Sequence, residues 1–290
     1  MNASMKVAIA ASIGALGLAF ASMPVASADD AKVGVILGFT GPIESLTPDM
    51  AESAELALKE VSDSGLLLGG TTLTPVRGDS TCIDSAAATA AAERLITSDN
   101  VVAIMGADCS GVTTAIASNV AVPNGVVMVS PSATSPALTT IEDDGYFFRT
   151  APSDARQGEV LAAILVDRGI MSVAVTYTNN DYGKGLSDSF EGAYMEMGGD
   201  VVAVAPHEDG KADYSAEVAA LAASGAEHLA VFGYVDQGGK GIIQTSIDTG
   251  AFESFILADG MIGDSLIEAI GPDLNGTIGT LPGSDSQEAA

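Results

Sequence analysis

The 290-residue chain has no tryptophan, only two histidines and only two cysteines. Basic residues are also scarce, because 11 Lys and Arg stand against 38 Asp and Glu, a formal net charge of −27. This negative charge opposes binding to nucleic acid and to anionic membrane surfaces. The simplest interpretation of the acidity is solubility, including solubility at high salt, and steering of cationic ligands is the alternative. Hydrophobic residues make up 47% of the chain, which argues against disorder and indicates about two domains at this length.

Sequence motifs of enzymes and nucleotide cofactors are missing as well. The first apolar run leads into residues 38–42, which lack the spacing G-x-G-x-x-G, and neither G-x-x-x-x-G-K-[ST] nor G-x-S-x-G occurs. The two cysteines, with His207 and His228 far away, match no zinc-binding spacing. Two histidines offer few candidates for a general base, although carboxylates remain candidates. We therefore predict no cofactor, no metal and no enzymatic activity, with a secreted hydrolase as the least favoured alternative.

The first 28 residues have the pattern of a secretory signal peptide. One positive charge, Lys6, precedes an uncharged apolar stretch at positions 7–20, and the small residues 26–28 follow. A membrane anchor is the alternative, but the apolar stretch is short for a bilayer span and Pro24 breaks the segment. We predict cleavage after Ala28 and export of the remaining chain.

The two cysteines, Cys82 and Cys109, both follow this cleavage site. In an exported protein an even number of cysteines indicates a disulfide. Such a bond contributes about 3–4 kcal/mol on the chain-entropy model. Two buried thiols are the alternative.

Short apolar runs alternate with helical patterns along the rest of the chain. Residues 32–38, 101–105 and 126–130 are typical of buried strands, and a helical pattern at 84–98 opens with Asp84, a residue suited to an N-cap. This rhythm predicts an α/β fold with parallel sheets covered by helices on both faces. It restarts after a short aromatic segment at 146–150, where we place the domain boundary.

Small polar residues follow two of the predicted strands, at positions 108–111 and 130–134. In open parallel sheets, ligands bind beyond the carboxyl ends of the strands. Hydroxyl groups and free backbone N–H groups at these ends suit a carboxylate, as does the helix N-terminus behind Ser110. Ser110 is also suited to an N-cap, and the two roles are compatible.

At these positions the chain resembles the periplasmic leucine/isoleucine/valine-type substrate-binding proteins of ABC transporters. The most specific segment is residues 130–138 (SPSATSPAL), which is close to the family's P-x-A-T-x-P-x-L loop. Weaker motifs occur along the whole chain in the same order as in the family. They lie at Gly41-Pro42, 54–57, Asp79, Gly106, 148–150, 157–158, 182–183, 213–215 and 276–279. The resemblance implies the type I periplasmic binding protein fold. In that fold two Rossmann-like lobes, each a parallel sheet flanked by helices, hold the ligand in the cleft between them.

The resemblance also implies which residues bind the ligand. They are Ser110, Ser132, Ala133, Thr134, Tyr182, Tyr234 and Asp259. The first four would bind the carboxylate of an amino acid and part of its amino group, and the two tyrosines would close from the second lobe. Asp259 would receive the ammonium group, which also suits a carboxylate at a strand end. The alternatives are ordinary packing for the tyrosines and an N-cap for Asp259. Leucine-type members also carry a disulfide where Cys82 and Cys109 fall.

Two departures from the family pattern affect these expectations. Many members place an aromatic residue near Leu46 to contact the ligand side chain, so its absence here leaves the ligand open. In family members the polypeptide chain also passes back from the second lobe to the first, which it completes with further helices and strands. We therefore expect a C-terminally truncated member, with an incomplete lobe at 29–150, a second lobe at 151–280 and the start of the return crossover at 281–290. The uncovered first sheet would then expose apolar surface.

The predicted function is a periplasmic, monomeric solute-binding protein that delivers an amino acid, branched-chain or otherwise aliphatic, to an inner-membrane ABC permease. One alternative is a short amide or urea as the ligand, which would not need a charged Asp259. Another is an extracytoplasmic sensor domain, although the sequence contains neither an adjoining membrane span nor a signalling module.

Overall fold

Two parallel sheets of five strands each form the framework of the protein. The computed structural model describes residues 30–283, so the predicted signal peptide and residues 284–290 lie outside the described part of the chain. The first sheet lies within residues 31–149 and the second within residues 172–279. This architecture confirms the predicted α/β fold with two Rossmann-like lobes.

The first lobe is built on strands in the order β2-β1-β3-β4-β5. These strands are β1 (Ala31–Leu37), β2 (Leu73–Asp79), β3 (Val101–Gly106), β4 (Val127–Ser130) and β5 (Phe147–Arg149). Its helices are α1 (Thr47–Asp63), α2 (Ser85–Thr97) and α3 (Ser110–Ile116). The last of these, α3, ends at Ile116 and continues as a π-helical turn at Ala117–Ala121.

The second lobe begins with α4 (Asp154–Asp167) and repeats the βα alternation. Its strands are β6 (Ser172–Thr178), β7 (Asp200–His207), β8 (His228–Phe232), β9 (Ser254–Leu257) and β10 (Ile278–Gly279). Its other helices are α5 (Asp181–Glu196), α6 (Ser215–Ala222), α7 (Gly238–Thr249) and α8 (Asp264–Ile270). The strand order is β10-β9-β8-β6-β7, so in both sheets the first strand of the lobe lies between the second and the third. The chain reverses its direction of winding there, which is where open α/β sheets bind ligands.

Local sequence signals begin several of the helices. The Asp84 side chain accepts hydrogen bonds from the N–H groups of Ala86 and Ala87, so it caps α2 as the sequence predicts. Asn180 caps α5 in the same way. Ser110 is not an N-cap, because Cys109 holds that position and Ser110 is already the first helical residue. Asp259 is not an N-cap either, since the short 3₁₀ turn that it begins is preceded by Ala258.

The two sheets differ in how completely their faces are covered. In the second sheet Val173, Ala174 and Val175 of β6 are all fully buried, so both faces of this strand are covered. In the first sheet α1 covers the face over β1 but leaves it open over β4 and β5, where Val127 is 37% and Phe148 is 54% exposed. Apolar surface of β4 and β5 is therefore exposed on this face of the first sheet.

A disulfide joins Cys82 to Cys109 and confirms the predicted pairing. It links the loop after β2 to the residue that precedes α3, and both cysteines are buried. The alternative of two buried thiols is therefore wrong. Within residues 30–283 no helix is long and apolar enough to cross a bilayer.

Candidate ligand-binding cleft

A cleft of about 390 Å³ opens between the carboxyl ends of the two sheets. Its walls come from both lobes, and this volume is in the range of small-molecule sites. Five of the seven predicted site residues line it, namely Ser110, Ser132, Tyr182, Tyr234 and Asp259. The other two, Ala133 and Thr134, lie in the loop behind this wall and are buried. The fold thus brings together predicted site residues that are far apart along the chain.

The wall from the first lobe presents serine hydroxyls at the N-terminus of α3. The Ser110 Oγ accepts a hydrogen bond of 3.1 Å from the N–H of Ser135, which leaves the hydroxyl proton of Ser110 available as a donor. The Ser132 hydroxyl donates to the carbonyl oxygen of Asp108 at 3.1 Å. The helix N-terminus and the hydroxyl donor make this wall suited to a negatively charged group.

The loop that carries these serines is held by Arg149 on β5. The guanidinium donates to the carbonyl oxygens of Ala133 and Ser135, at 3.2 and 2.8 Å, and to the Thr139 hydroxyl at 2.6 Å. The N–H of Ala133 donates to the Ser130 hydroxyl at 3.0 Å. The backbone groups of Ala133 are therefore already paired within the protein, which leaves them less suited to a ligand than the prediction requires.

The wall from the second lobe is aromatic and acidic. The rings of Tyr182 and Tyr234 stack with their centroids 5.3 Å apart, and each residue is only 4% exposed, so ordinary packing on the lobe surface does not describe them. The Tyr182 hydroxyl donates to Asp259 Oδ1 at 2.9 Å and accepts from the N–H of Gly260 at 3.2 Å. Burial raises the pKa of both tyrosines well above the usual value, so both phenols stay neutral.

A second carboxylate, Asp154, lies next to Asp259 and is completely buried. Burial raises the pKa of Asp154 to about 8, and the nearby Asp259 contributes to that shift. Burial also raises the pKa of Asp259, and this effect outweighs the hydrogen bond from Tyr182, which lowers that pKa. Sequence reasoning missed Asp154, because only the packing of the folded second lobe brings the start of α4 to the end of β9, about a hundred residues away along the chain.

Apolar side chains line the remaining part of the cleft. They are Ile43, Leu46, Met50 and Ile262, together with Leu281 beyond β10. Leu46 faces the cleft and approaches Gly263 of the second lobe. This is the position near which the resemblance implies an aromatic residue in many members. These side chains suit an aliphatic group.

The lobes also touch beside the cleft, where the loop after β1 meets the loop after β8. The N–H of Ser45 donates to Asp236 Oδ2 at 2.8 Å, and the N–H of Asp236 donates to the Pro42 carbonyl oxygen at 3.0 Å. Ser265 donates to the other oxygen of Asp236 at 2.8 Å. These polar contacts join the two lobes without contributing to the core.

Both histidines lie away from the cleft. His207 is buried against the Thr176 hydroxyl, and burial lowers the pKa of its imidazole to about 4. His228 pairs with the Ser254 hydroxyl at the start of β8. In residues 30–283 no group of three or more His, Cys, Asp or Glu side chains could hold a metal ion. What the cleft offers is a donor-rich wall facing an acidic wall, with an apolar floor between them.

Comparison with known proteins agrees with this geometry. A family model described as "Periplasmic binding protein" matches residues 30–289. The Leu/Ile/Val-binding protein homolog 3 of Brucella melitensis biotype 1 is 30% identical over 267 residues, which cover 92% of this chain and 68% of the relative.

Two solved structures resemble the fold closely. A leucine-binding protein from Thermotoga maritima superposes with a TM-score of 0.74 at 27% identity, over 86% of this chain and 69% of the other. A branched-chain amino acid transporter substrate-binding protein from Streptococcus pneumoniae, solved with isoleucine, gives a TM-score of 0.71 at 25% identity, over 85% and 68%. The chain spans about two thirds of the length of these proteins.

Proposed function

We propose, since the chain belongs to the periplasmic binding protein family, that it is the solute-binding protein of an ABC importer and binds an amino acid with an aliphatic side chain. Hinge closure of the two lobes would enclose the ligand in the cleft. The family consists of binding proteins, in agreement with the prediction that the chain is not an enzyme. The names of its relatives, which refer to leucine, isoleucine and valine, support the choice of a branched-chain ligand.

The opposed polarity of the two cleft walls is the observation that carries this proposal. An amino acid has a carboxylate and an ammonium group on one carbon, so it needs donors on one side and an anion on the other. The Ser110 hydroxyl at the start of α3 supplies the first, and Asp259 at the end of β9 supplies the second. The apolar floor suits the aliphatic side chain.

Within this proposal each predicted residue has a role. Ser110 and Ser132 would bind the ligand carboxylate, and Ala133 and Thr134, buried behind them, would keep the loop in shape. Asp259 would bind the ammonium group. The stacked rings of Tyr182 and Tyr234 would cover the ligand from the second lobe.

The biological setting is part of the same proposal. The signal peptide pattern at residues 1–28 supports export to the periplasm, and the description of the matching family as periplasmic binding proteins supports the same location. We propose lobes at 29–150 and 151–280, a monomeric protein, and delivery of the ligand to an inner-membrane ABC permease.

Isothermal calorimetry with the exported protein tests the ligand. L-leucine, L-isoleucine and L-valine should bind, and D-leucine should bind much more weakly, because its side chain points away from the apolar floor when its carboxylate and ammonium group meet the two walls. Mass spectrometry of ligand released from the native protein should find a branched-chain amino acid. Absence of binding by all three L-amino acids, together with a different co-purified solute, would disprove the proposed ligand.

A short neutral amide or urea is a second candidate. The raised pKa of Asp259 favours it, because a protonated carboxyl group can exchange hydrogen bonds with an amide without needing a cation. Titration with acetamide and urea in the same instrument separates the two. Binding of either amide with no response to L-leucine would support this candidate.

A further inference from the structure

Asp154 is a buried acid at the junction of the two lobes. It is the first residue of α4, and its N–H donates to the Thr134 carbonyl oxygen at 2.9 Å, across the domain boundary predicted near residue 150. Its side chain is completely buried, and Oδ2 has no hydrogen-bond partner among the described residues. The Thr134 hydroxyl is buried and faces Asp154; it lowers the pKa of that acid, against the effect of burial, without reaching full hydrogen-bond geometry. Two unpartnered polar groups therefore meet at this point, immediately behind the cleft.

The Gln157 amide joins Asp154 to the proposed ammonium-binding residue. With its nitrogen toward the acids, this amide donates to Asp259 Oδ1 at 2.9 Å and to Asp154 Oδ1 at 3.1 Å. Its oxygen accepts from the Asp259 N–H and from the Thr280 hydroxyl, each at 3.0 Å. The two carboxylates are thus within hydrogen-bond reach of one nitrogen atom, and Asp259 reaches the cleft.

No cation contacts either acid in the described part of the chain. Arg149 is the nearest positive charge to Asp154, but its guanidinium is hydrogen-bonded to two carbonyl oxygens and the Thr139 hydroxyl. The other ionisable groups that face the pair are Tyr182, which donates to Asp259, and Tyr234 stacked on it, and both are neutral. Two adjacent buried carboxylates without a cation cannot both stay ionised at low cost.

We propose that Asp154 and Asp259 share one proton in the ligand-free cleft, and that the ammonium group of an amino acid displaces this proton when it binds. The proposal rests on the proposed function. The ligand keeps its own three ammonium protons, and the displaced proton passes to the solvent, so no covalent bond of the ligand changes. Asp154 acts in this step as a positioning residue: it tunes the charge of Asp259 without contacting the ligand.

The expected pH dependence follows from this exchange. The free pair carries a proton that the complex lacks, so binding becomes tighter as pH rises toward the upper pKa of the pair. The raised pKa values of both acids place this range near neutrality, with Asp154 at about 8. Below that pKa the affinity for L-leucine should fall by up to about tenfold for each pH unit.

Infrared spectroscopy of the ligand-free protein tests the shared proton directly. At pH 7 the wild type should show the C=O band of a protonated carboxyl group that Asp154→Asn lacks, because Asp259 then faces no second carboxylate and keeps the hydrogen bonds from Tyr182 and Gln157 that favour its ionised form. Asp209→Asn is the matched control: Asp209 is another partly buried acid whose pKa burial raises, but it pairs with Thr178 and the N–H of Gly238, away from the cleft. This variant should keep the band that Asp154→Asn loses. Spectra of the wild type and Asp154→Asn without a difference in this band would overturn the proposal.

Calorimetry with L-leucine in two buffers of different ionisation enthalpy tests the displacement. The wild type and Asp209→Asn should release about one proton per leucine near pH 7, and Asp154→Asn should bind leucine with much less release and a flatter pH profile. Equal proton release by the wild type and Asp154→Asn would overturn the proposal. Complete absence of leucine binding would instead refute the proposed ligand, while the infrared band would still decide whether the pair shares a proton.

Discussion

The first and second lobes have the same strand order, yet they place different chemical groups at the carboxyl ends of their strands. The first lobe ends its strands in serines and a helix N-terminus around Ser110, and the second ends them in Tyr182, Tyr234 and Asp259. One backbone plan therefore supplies both a wall for anions and a wall for cations. The comparison teaches that the topology selects where the ligand binds, and that a few side chains at strand ends select what binds.

The lobes also differ in how they are held together. The second relies on helices over both faces of its sheet, whereas the first has an exposed apolar face near Phe148 and is crosslinked by the Cys82–Cys109 disulfide. Burial on both faces makes each central strand of the second lobe a large contributor to stability. In the first lobe the covalent bond restrains the loops that precede α2 and α3, and the second of these leads to the proposed binding residue Ser110.

A matched pair of phenylalanines should show the largest difference between the two sheets. Phe232 on β8 is fully buried and packs edge-on against Phe190, so Phe232→Ala should lower the free energy of unfolding by about 4 kcal/mol. Phe148 on β5 is 54% exposed, so Phe148→Ala should change that free energy by about 0.5 kcal/mol or less. Urea unfolding followed by circular dichroism measures both. Equal losses in the two variants would mean that the first sheet is covered in solution.

The disulfide should matter for the first lobe and not for the second. The bond closes a loop between residues 27 positions apart, so its removal in a Cys82→Ser/Cys109→Ser variant should cost about 3.5 kcal/mol on the chain-entropy model. Hydrogen exchange should show faster exchange in β3 with unchanged protection in β6. A loss of protection spread evenly over both sheets would show that the lobes unfold as one unit.

The acidic wall should contribute more to affinity than the donor wall. Asp259→Asn removes the counter-charge of the ligand ammonium group and should weaken L-leucine binding by about 3 kcal/mol, or over a hundredfold. Asp264→Asn, an exposed acid in the first turn of α8, is the control and should bind as the wild type does. Calorimetry decides, and unchanged affinity in Asp259→Asn would remove this residue from the site and favour a neutral ligand.

The smallest effects should come from the hydroxyls of the first lobe, and they should separate binding from stability. Ser110→Ala should weaken L-leucine binding by about 1–2 kcal/mol, because a hydrogen bond to a charged group is lost, whereas Thr134→Ala should weaken it less, because the Thr134 hydroxyl lies behind the cleft wall. Ser110→Ala should also destabilise the free protein by about 1 kcal/mol, since the N–H of Ser135 loses its acceptor. Thr134→Ala should not, because its buried hydroxyl has no partner to lose. Parallel calorimetry and urea unfolding of both variants test this split.

Much of the fold could be predicted from the sequence because its signals are local. Apolar runs between helical patterns marked the strands, and Asp84 marked a helix start through a contact with residues two and three positions away. The loop at 130–138 and its resemblance to a family pointed to most of the cleft residues. Local patterns were less reliable for Ser110, where an N-cap was an alternative, because the cap position depends on backbone angles that residue type alone does not fix.

The sequence by itself determined the α/β class, the disulfide pair and the positions where small polar residues end the strands, since these depend on periodicity and composition over short distances. Only the tertiary structure decided which side chains meet across the cleft. Asp154, Gln157 and Asp259 lie on α4 and after β9, and they come together because α4 packs beside the end of β9 in the folded second lobe. Burial at that contact, and not the residue type, raises the pKa of both acids. An aspartate looks the same in every sequence, but its charge depends on how much water and how many partners the folded chain leaves around it.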